Sequence, residues 1–420
     1  MGAYWHPFAD MASIEQDGEL VITAGHGAHV TDEHGRRYLD ATAALWYCNV
    51  GHGREELADA AAAQLRRLAA YTTFGDLATL PTLDLAERLA ALAPVPGSKV
   101  FLTSGGSDSV DTAVKLVRRF WQVTGRPDKT VIVSRRHAYH GMHAGGTSLA
   151  GIPANRLGHG PLVDATAQVP WDSAEALAAT LDALGPDRVA AFFVEPVIGA
   201  GGVFPPPEGY LQAAEKICRD RDVLLVADEV ITGYGRIGGA WFASTRFGLA
   251  PDVVVGAKGV TSGYVPLGTV LVAPRVAEPF WRRGTGAWRH GYTFSGHATA
   301  CAVALANLDL VERDGLLAHA SRLEHTLDVE LGELERHPAV SQVRRGTGAL
   351  AAVQLTPELL AADPAAPQRV TLALREHGVL TRPLATGALQ VSPSFVTTDE
   401  DVCTMAQAFE AALDDVARLG

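Results

Sequence analysis

Two short apolar runs, each closed by one charged residue, constrain this chain more than any other feature. Residues 223–227, VLLVA, end at Asp228, and residues 253–255, VVV, end just before Lys258. Both runs are rich in branched side chains and bounded by Gly or Asp, which predicts short buried strands. Thirty residues separate the acid from the lysine, enough for a loop and a short turn between the strands. Both charges then sit at strand ends, where α/β sheets collect ligands.

Alone, an Asp after a strand is usually a cap or turn former, and a lone Lys is usually solvated. Together they suit pyridoxal phosphate. The amine of Lys258 can form a Schiff base with the cofactor aldehyde. The carboxylate of Asp228 can keep the pyridine nitrogen protonated, so that the ring accepts electrons from a carbanion. A third feature points the same way. KVFLTSGGSDSVDTAVKLVRRFW predicts a strand over 100–103, a turn Ser104-Gly105-Gly106-Ser107, and then a helix. Val110, Val114, Val117 and Trp121 mark its buried face, Asp111 and Lys115 are expected to pair on the other, and Gly125 and Pro127 stop it. A glycine turn that presents amide groups at a helix N-terminus is an anion site. The same residues also fit an ordinary β–α turn with a serine cap.

The 420 residues are 47% hydrophobic and 20% charged, enough for two or three domains and a large core. A net charge of −12, with acids and bases interspersed, weighs against nucleic acid or an anionic membrane as partner. Cys48, Cys218, Cys301 and Cys403 are far apart and form no CxxC, so neither a disulfide framework nor a cysteine zinc site is expected, and the setting is read as cytoplasmic. The start, MGAYWHPFADM, lacks the basic and apolar regions of a signal peptide, and no apolar run approaches the length of a transmembrane helix.

Along the chain, LVITAGHGAHVTDEHGRRYLD alternates apolar and polar residues with glycine turns, predicting a small sheet. Helices are expected over 55–68, 81–92 and 210–220. Between them TVIVSRR, VAAFFVEPV, VLLVAD, VVVGAK and LGTVLVA read as strands of a largely parallel sheet covered by helices. Near Asn307 the pattern changes to long helices, a strand over 349–355, a short strand pair around VLTRPL and ALQVSPSF, and a closing helix opened by a Thr398/Asp401 capping box. Gly233 to Gly238 spells GxGxxG, but no helical periodicity follows it, which disfavours a dinucleotide site. His137, His140 and His143 recur in a glycine-rich stretch without an acid to complete a metal site, so no metal is expected. No GxSxG elbow is present.

As a set, HPF, LWYCNVGHGREEL, SGGSDSVDTAVKLVRR, YHGMHAGGTSLAG, EPVIGAGGV, LLVADEVITGYGR, AKGVTSGYVPLG and GYTFSGH resemble the class III pyridoxal-phosphate-dependent aminotransferases, most closely the amine:pyruvate, or ω-transaminase, branch. The resemblance spans nearly the whole chain. It implies an α/β structure of fold type I: a large domain with a mostly parallel sheet over residues 46–305, and a small α/β domain built from both chain ends, 1–45 with the N-terminal arm and 306–420. It implies that Lys258 is the Schiff-base lysine and proton shuttle and that Asp228 is the pyridinium partner. Tyr139 and Val230 match the residues on the two ring faces, Gly106 and Ser107 the phosphate cup, and Glu195 an acid near the cofactor. Thr293 matches a threonine that reaches the phosphate of the other subunit, implying a homodimer with shared sites and leaving a tetramer open. Phe8, Trp46, Phe74, Tyr139 and Ala200 match the amine pocket, and Arg382 matches a mobile arginine that binds a carboxylate.

Three departures stand out. The phosphate turn reads Ser104-Gly105-Gly106-Ser107 where the family often has Asn-Ser-Gly-Ser, which removes one expected hydroxyl contact, Gly75 replaces an aromatic, and Ala200 replaces the Glu that pairs with the arginine in the ornithine and 4-aminobutyrate branches. Without that Glu, Arg382 has no obvious resident partner. The implied reaction moves an amino group from an amine or ω-amino acid to a keto acid, with pyruvate the expected acceptor. An aminomutase or decarboxylase on the same scaffold is the alternative, and a non-catalytic cofactor-binding regulator is a more distant one.

Overall fold

The computed structural model describes residues 2–282 and 284–418. Its strands, in chain order, are β1 (Ile22–His26), β2 (His29–Asp32), β3 (Arg37–Asp40), β4 (Lys99–Thr103), β5 (Val131–Arg135), β6 (Thr166–Val169) and β7 (Val189–Val194). They continue with β8 (Leu224–Asp228), β9 (Val253–Gly256), β10 (Gly268–Val272), β11 (Val340–Arg344), β12 (Ala351–Leu355), β13 (Val379–Leu380) and β14 (Ala388–Val391).

The central sheet has the order β4-β10-β9-β8-β7-β5-β6. Only β10 runs against its neighbours; the other pairings are parallel. Such a sheet must be covered on both faces, which is why β5, β7, β8, β9 and β10 are buried at every position. The pleat assigns the faces. Phe193, Leu224 and Val226 pack with Val110, Val114, Val117 and Trp121 of the helix Gly106–Val123, as the spacing predicts. Phe192 and Leu225 pack on the opposite face with Leu177 and Leu211. Each buried phenylalanine is worth ~1.5–3 kcal/mol relative to its exposed state.

Two smaller sheets mix the chain ends. β1-β2-β3 receives β13 as its fourth strand, and β11-β12-β14 forms a three-stranded sheet. One continuous core joins Leu39, Ala41 and Leu57 from the front of the chain with Leu323, Leu355 and Phe409 from its back. The expected strand pair around residues 379–391 is corrected here. β13 pairs with β3 and β14 with β12, and only a bridge at Pro383 and Leu389 joins the two arms. A second correction concerns Asp111. Its carboxylate accepts the amides of Gly145 and Gly146 instead of pairing with Lys115, because two buried amides at a helix start need an acceptor more than an exposed ammonium does. The Thr398/Asp401 capping box forms as expected, with the two reciprocal hydrogen bonds at 3.0 and 3.1 Å.

The GxGxxG stretch is a buried turn that opens no helix. Its Arg236, fully buried, ties the central sheet to the C-terminal segment. The guanidinium donates to the carbonyls of Ala349, Ser392 and Pro393 and to Asn49 Oδ1, and lies 4.9 Å from the Phe395 ring. Burial pulls Arg236 down to about 9, with Cys48 and Asp40 acting weakly in the opposite direction.

Candidate active site

The ends of five strands meet at one edge of the central sheet. Asp228 closes β8, Lys258 follows β9 by two residues, Glu195 follows β7, Tyr139 and His140 follow β5, and the turn Ser104–Ser107 follows β4. This is the carboxyl edge of the parallel strands, so the topology alone gathers these groups. They line a cavity of about 380 Å³ together with Val230, Tyr47 and Thr261.

Its floor is the N-terminus of the helix Gly106–Val123, whose first-turn amides have no carbonyl within the helix to receive them. Gly106 must be glycine, because a Cβ there would sit 2.8 Å from a Val230 methyl carbon. Gly141, at φ +85°, lets its backbone close on Ser107, and Ser107 Oγ accepts the amide of Met142 at 3.2 Å. The result is a cradle of amides and hydroxyls with the field of a long helix behind it.

Asp228 is 4% exposed. Its Oδ1 accepts the Val230 amide at 3.1 Å, which leaves Val230 against the cavity. Its Oδ2 lies 2.7 Å from His140 Nδ1, and the buried Nε2 of the same ring has no partner among the described residues. Glu195 holds the loop that carries Tyr139: its two oxygens accept the amides of Tyr139 at 2.9 Å and Gly199 at 3.0 Å. Burial raises the Glu195 carboxyl.

Lys258 adopts φ +49°, a left-handed conformation that non-glycine residues seldom take outside functional turns. Burial lowers its amine to about 8, with Asp228 and Glu195 acting in the opposite direction. A measurable share of the amine is therefore neutral at pH 7.

A second chamber of about 600 Å³ opens from Lys258 and is lined by Phe8, Trp46, Tyr139, Ile231, Ala200 and Arg382, among others. Trp46 is presented by a strained segment: Ala43, Ala44 and Trp46 all have positive φ. Each such residue costs roughly 1–3 kcal/mol. The Asp40 carboxylate keeps the segment in place by accepting Thr42 N, Thr42 Oγ1 and Ala44 N at 2.6–3.1 Å, with His52 Nε2 at 3.0 Å. Burial works against the Asp40 charge, but these hydrogen bonds hold the carboxyl below its usual range. The Arg382 guanidinium carbon lies over the ring so presented, 4.3 Å from the Trp46 centroid.

Of the residues singled out from sequence, Gly106, Ser107, Tyr139, Glu195, Asp228, Val230 and Lys258 line the first chamber. Phe8, Trp46, Tyr139, Ala200 and Arg382 line the second. Phe74 and Thr293 line neither. They occupy two exposed loops that pack on each other, where Thr73 Oγ1 donates to the Ser295 carbonyl at 2.8 Å. Gly75, at φ +72° with open space around it, belongs to the same loop. Sequence reasoning missed the specific duty of His140 and the partner of Arg382. His143 instead pairs with Asp108, and His137 packs against Phe204. The one signal for His140 was its place in the loop after β5 at the carboxyl edge of the sheet.

The cradle, the buried carboxylate at its far side and the depressed amine fit a phosphorylated pyridine aldehyde in all three parts. The sequence profile of the family Aminotransferase class-III matches residues 11–413. The putrescine–pyruvate aminotransferase of Pseudomonas aeruginosa is 35% identical, covering 98% of this chain and 94% of its own. The beta-alanine–pyruvate aminotransferase of the same organism is 33% identical, covering 99% and 96%. A solved omega transaminase from Pseudomonas jessenii in complex with PMP superposes with a TM-score of 0.94 at 34% identity, over 99% of this chain and 97% of that one.

Proposed function

Because the chain belongs to the class III aminotransferases, we propose that it carries an amino group from an apolar amine or an ω-amino acid to pyruvate. The observation that carries this reading is Arg382, a guanidinium laid on the Trp46 wall of a mostly apolar chamber that opens from Lys258. Bound pyridoxal phosphate supplies an electron sink for the electrons released when the amine-bearing carbon loses its proton. The chain's own residues do the rest. First-turn amides and Ser107 would hold the phosphate. Asp228, oriented by His140, would favour a proton on the pyridine nitrogen. Val230 and Tyr139 would flank the ring. The Lys258 amine would take the proton from the amine-bearing carbon of the substrate and deliver it to the carbon that carried the cofactor aldehyde. Aminomutase and decarboxylase chemistry is not favoured, given the transaminases among the relatives.

Arg382 answers the problem of dual recognition. A keto acid brings a carboxylate to the place where an uncharged amine brings an apolar group. An unpaired cation against an apolar group costs several kcal/mol, so a long side chain that can leave is favoured over a fixed one. Among the described residues the second chamber has no Asp or Glu in its lining, so a diamine's far ammonium would find no carboxylate there. That argues for amines with an apolar body. Arg382→Ala should raise KM for pyruvate roughly 10- to 100-fold, about 1.4–3 kcal/mol, and should leave the half-reaction with a carboxylate-free amine close to normal. Equal damage to both half-reactions would mean that Arg382 only supports the fold.

The working unit is read as a homodimer with shared sites in a reducing cytoplasm, a setting that suits four unpaired thiols. Phe74 and Thr293 support this, since both are exposed on loops that touch each other and not the chain's own cavity. Lys258→Ala and Thr293→Ala proteins, mixed and allowed to exchange subunits, should then regain a site with normal cofactor affinity and turnover that neither parent has. No recovery on mixing, or a fully active monomer in sedimentation, would refute shared sites.

A further inference from the structure

We infer that Gln390 is the latch that parks Arg382 over Trp46 and thereby sets how the chain divides its preference between keto acids and apolar amines. This rests on the reading of Arg382 as the carboxylate-binding group. Gln390 lies on β14, is fully buried, and faces Arg382 across the arms joined at Pro383 and Leu389. The two residues are bound twice. The Gln390 amide donates to the Arg382 carbonyl at 3.1 Å, and Arg382 Nε donates to Gln390 Oε1 at 2.8 Å. A guanidinium has no acceptor, so the side-chain oxygen must face it and the Gln390 NH₂ must face away. That NH₂ donates to Ser392 Oγ at 2.6 Å, and Ser392 Oγ donates to the Thr42 carbonyl at 3.2 Å. Thr42 begins the strained segment that presents Trp46. One hydrogen-bonded chain thus fixes both the arginine and the ring on which it rests.

The choice of glutamine over an acid has a chemical consequence. A carboxylate at this position would neutralise the guanidinium and compete with the substrate. The neutral amide engages only Nε, and Nη1 and Nη2 make no hydrogen bond among the described residues. Those two nitrogens form the end of the fork that can take both oxygens of a carboxylate. The same single bond is weak enough to break when an apolar amine needs the space. Gln390 is therefore a positioning residue, and it replaces the acid whose absence at Ala200 left Arg382 without an evident partner.

The test compares Gln390→Met, Gln390→Glu and Arg382→Ala holoenzymes in separate half-reactions with pyruvate and with 1-phenylethylamine, alongside thermal melts. Gln390→Met should raise KM for pyruvate on the order of tenfold and lower KM for the amine by a similar factor, with kcat little changed, since one hydrogen bond to a charged group is lost. Gln390→Glu, which keeps shape and acceptor, should instead raise both KM values, because the arginine is neutralised and locked in place. If Gln390→Glu matches wild type while Gln390→Met loses stability and both half-reactions together, Gln390 is structural and the latch is refuted. If Arg382→Ala raises KM for pyruvate but neither Gln390 variant does, the latch fails and the carboxylate reading stands. If none of the three raises it, the reading of Arg382 itself is wrong.

Discussion

Replacing Lys258 with alanine is expected to abolish amino transfer and to leave pyridoxal phosphate removable by dialysis. The chain has five lysines, and Lys258 is the only one lining either chamber. Lys129 is the instructive rival, because burial also lowers its amine to about 8. Its Nζ, however, donates to the carbonyls of Pro186 and Asp222, both at 2.8 Å, and sits 4.3 Å from the Trp121 ring. A low proton affinity there reflects packing, whereas at Lys258 it accompanies an open cavity and a partner carboxylate. Removal of the amine deletes a proton carrier, a loss of roughly 10²–10⁴ in rate before any loss of cofactor attachment is counted. The direction of the shift also predicts a pH dependence. Only the neutral amine can bond an aldehyde carbon, and its share rises as pH passes through about 8. Uptake of pyridoxal phosphate by cofactor-free protein should therefore quicken roughly fivefold from pH 7 to pH 8 and level off above pH 9. Borohydride reduction followed by peptide mass spectrometry identifies the modified residue. A modified peptide carrying Lys99, Lys115, Lys129 or Lys216 would overturn the assignment, and flat uptake kinetics across this range would overturn its electrostatic basis.

The parts of the site that follow chain direction were legible in the sequence. A strand that ends in Asp228, another that ends before Lys258 and a third that runs into Gly106 and Ser107 must bring those residues to one edge if the strands are parallel. Helix bounds were legible for the same reason, since 55–68 and 210–220 are set by apolar spacing and nearby stop signals. Contacts that depend on how separate segments close on each other were not. Gln390 and Arg382 meet across an irregular hairpin whose two strands belong to different sheets. Asp111 prefers two amides 34 and 35 residues away to the lysine one turn along its own helix. His140 looked like one of three regularly spaced histidines, but a sharp turn sends each ring to a different neighbour. Side-chain pairings of this kind are decided by which buried polar group would otherwise be left unpaired, and that is known only once the chain has folded.

Asp228→Asn is expected to keep most of the bound cofactor yet slow proton removal from the substrate carbon by several orders of magnitude. Cofactor retention follows from the geometry. The phosphate cradle and the ring faces do not depend on the Asp228 charge, and asparagine has nearly the same shape. The Oδ1 contact to the Val230 amide also survives if the amide oxygen takes that place. Rate loss follows from charge. A buried carboxylate favours a protonated pyridine nitrogen opposite it, whereas a neutral amide does not, and an unprotonated ring is a poor sink for the electrons released at the substrate carbon. His140 sharpens the distinction. At 2.7 Å its Nδ1 orients the carboxylate, so removing the ring should disturb direction and not sign. His140→Asn should therefore cost far less than Asp228→Asn, on the order of tenfold for one lost hydrogen bond to a charged group. Single-turnover absorbance changes with an amine deuterated at its reacting carbon separate the steps: the isotope effect should grow in Asp228→Asn because proton removal has become fully limiting. An unchanged single-turnover rate in that variant would remove Asp228 from the mechanism. Equal losses in the Asp228 and His140 variants would shift the decisive role from the charge to the hydrogen-bonded pair.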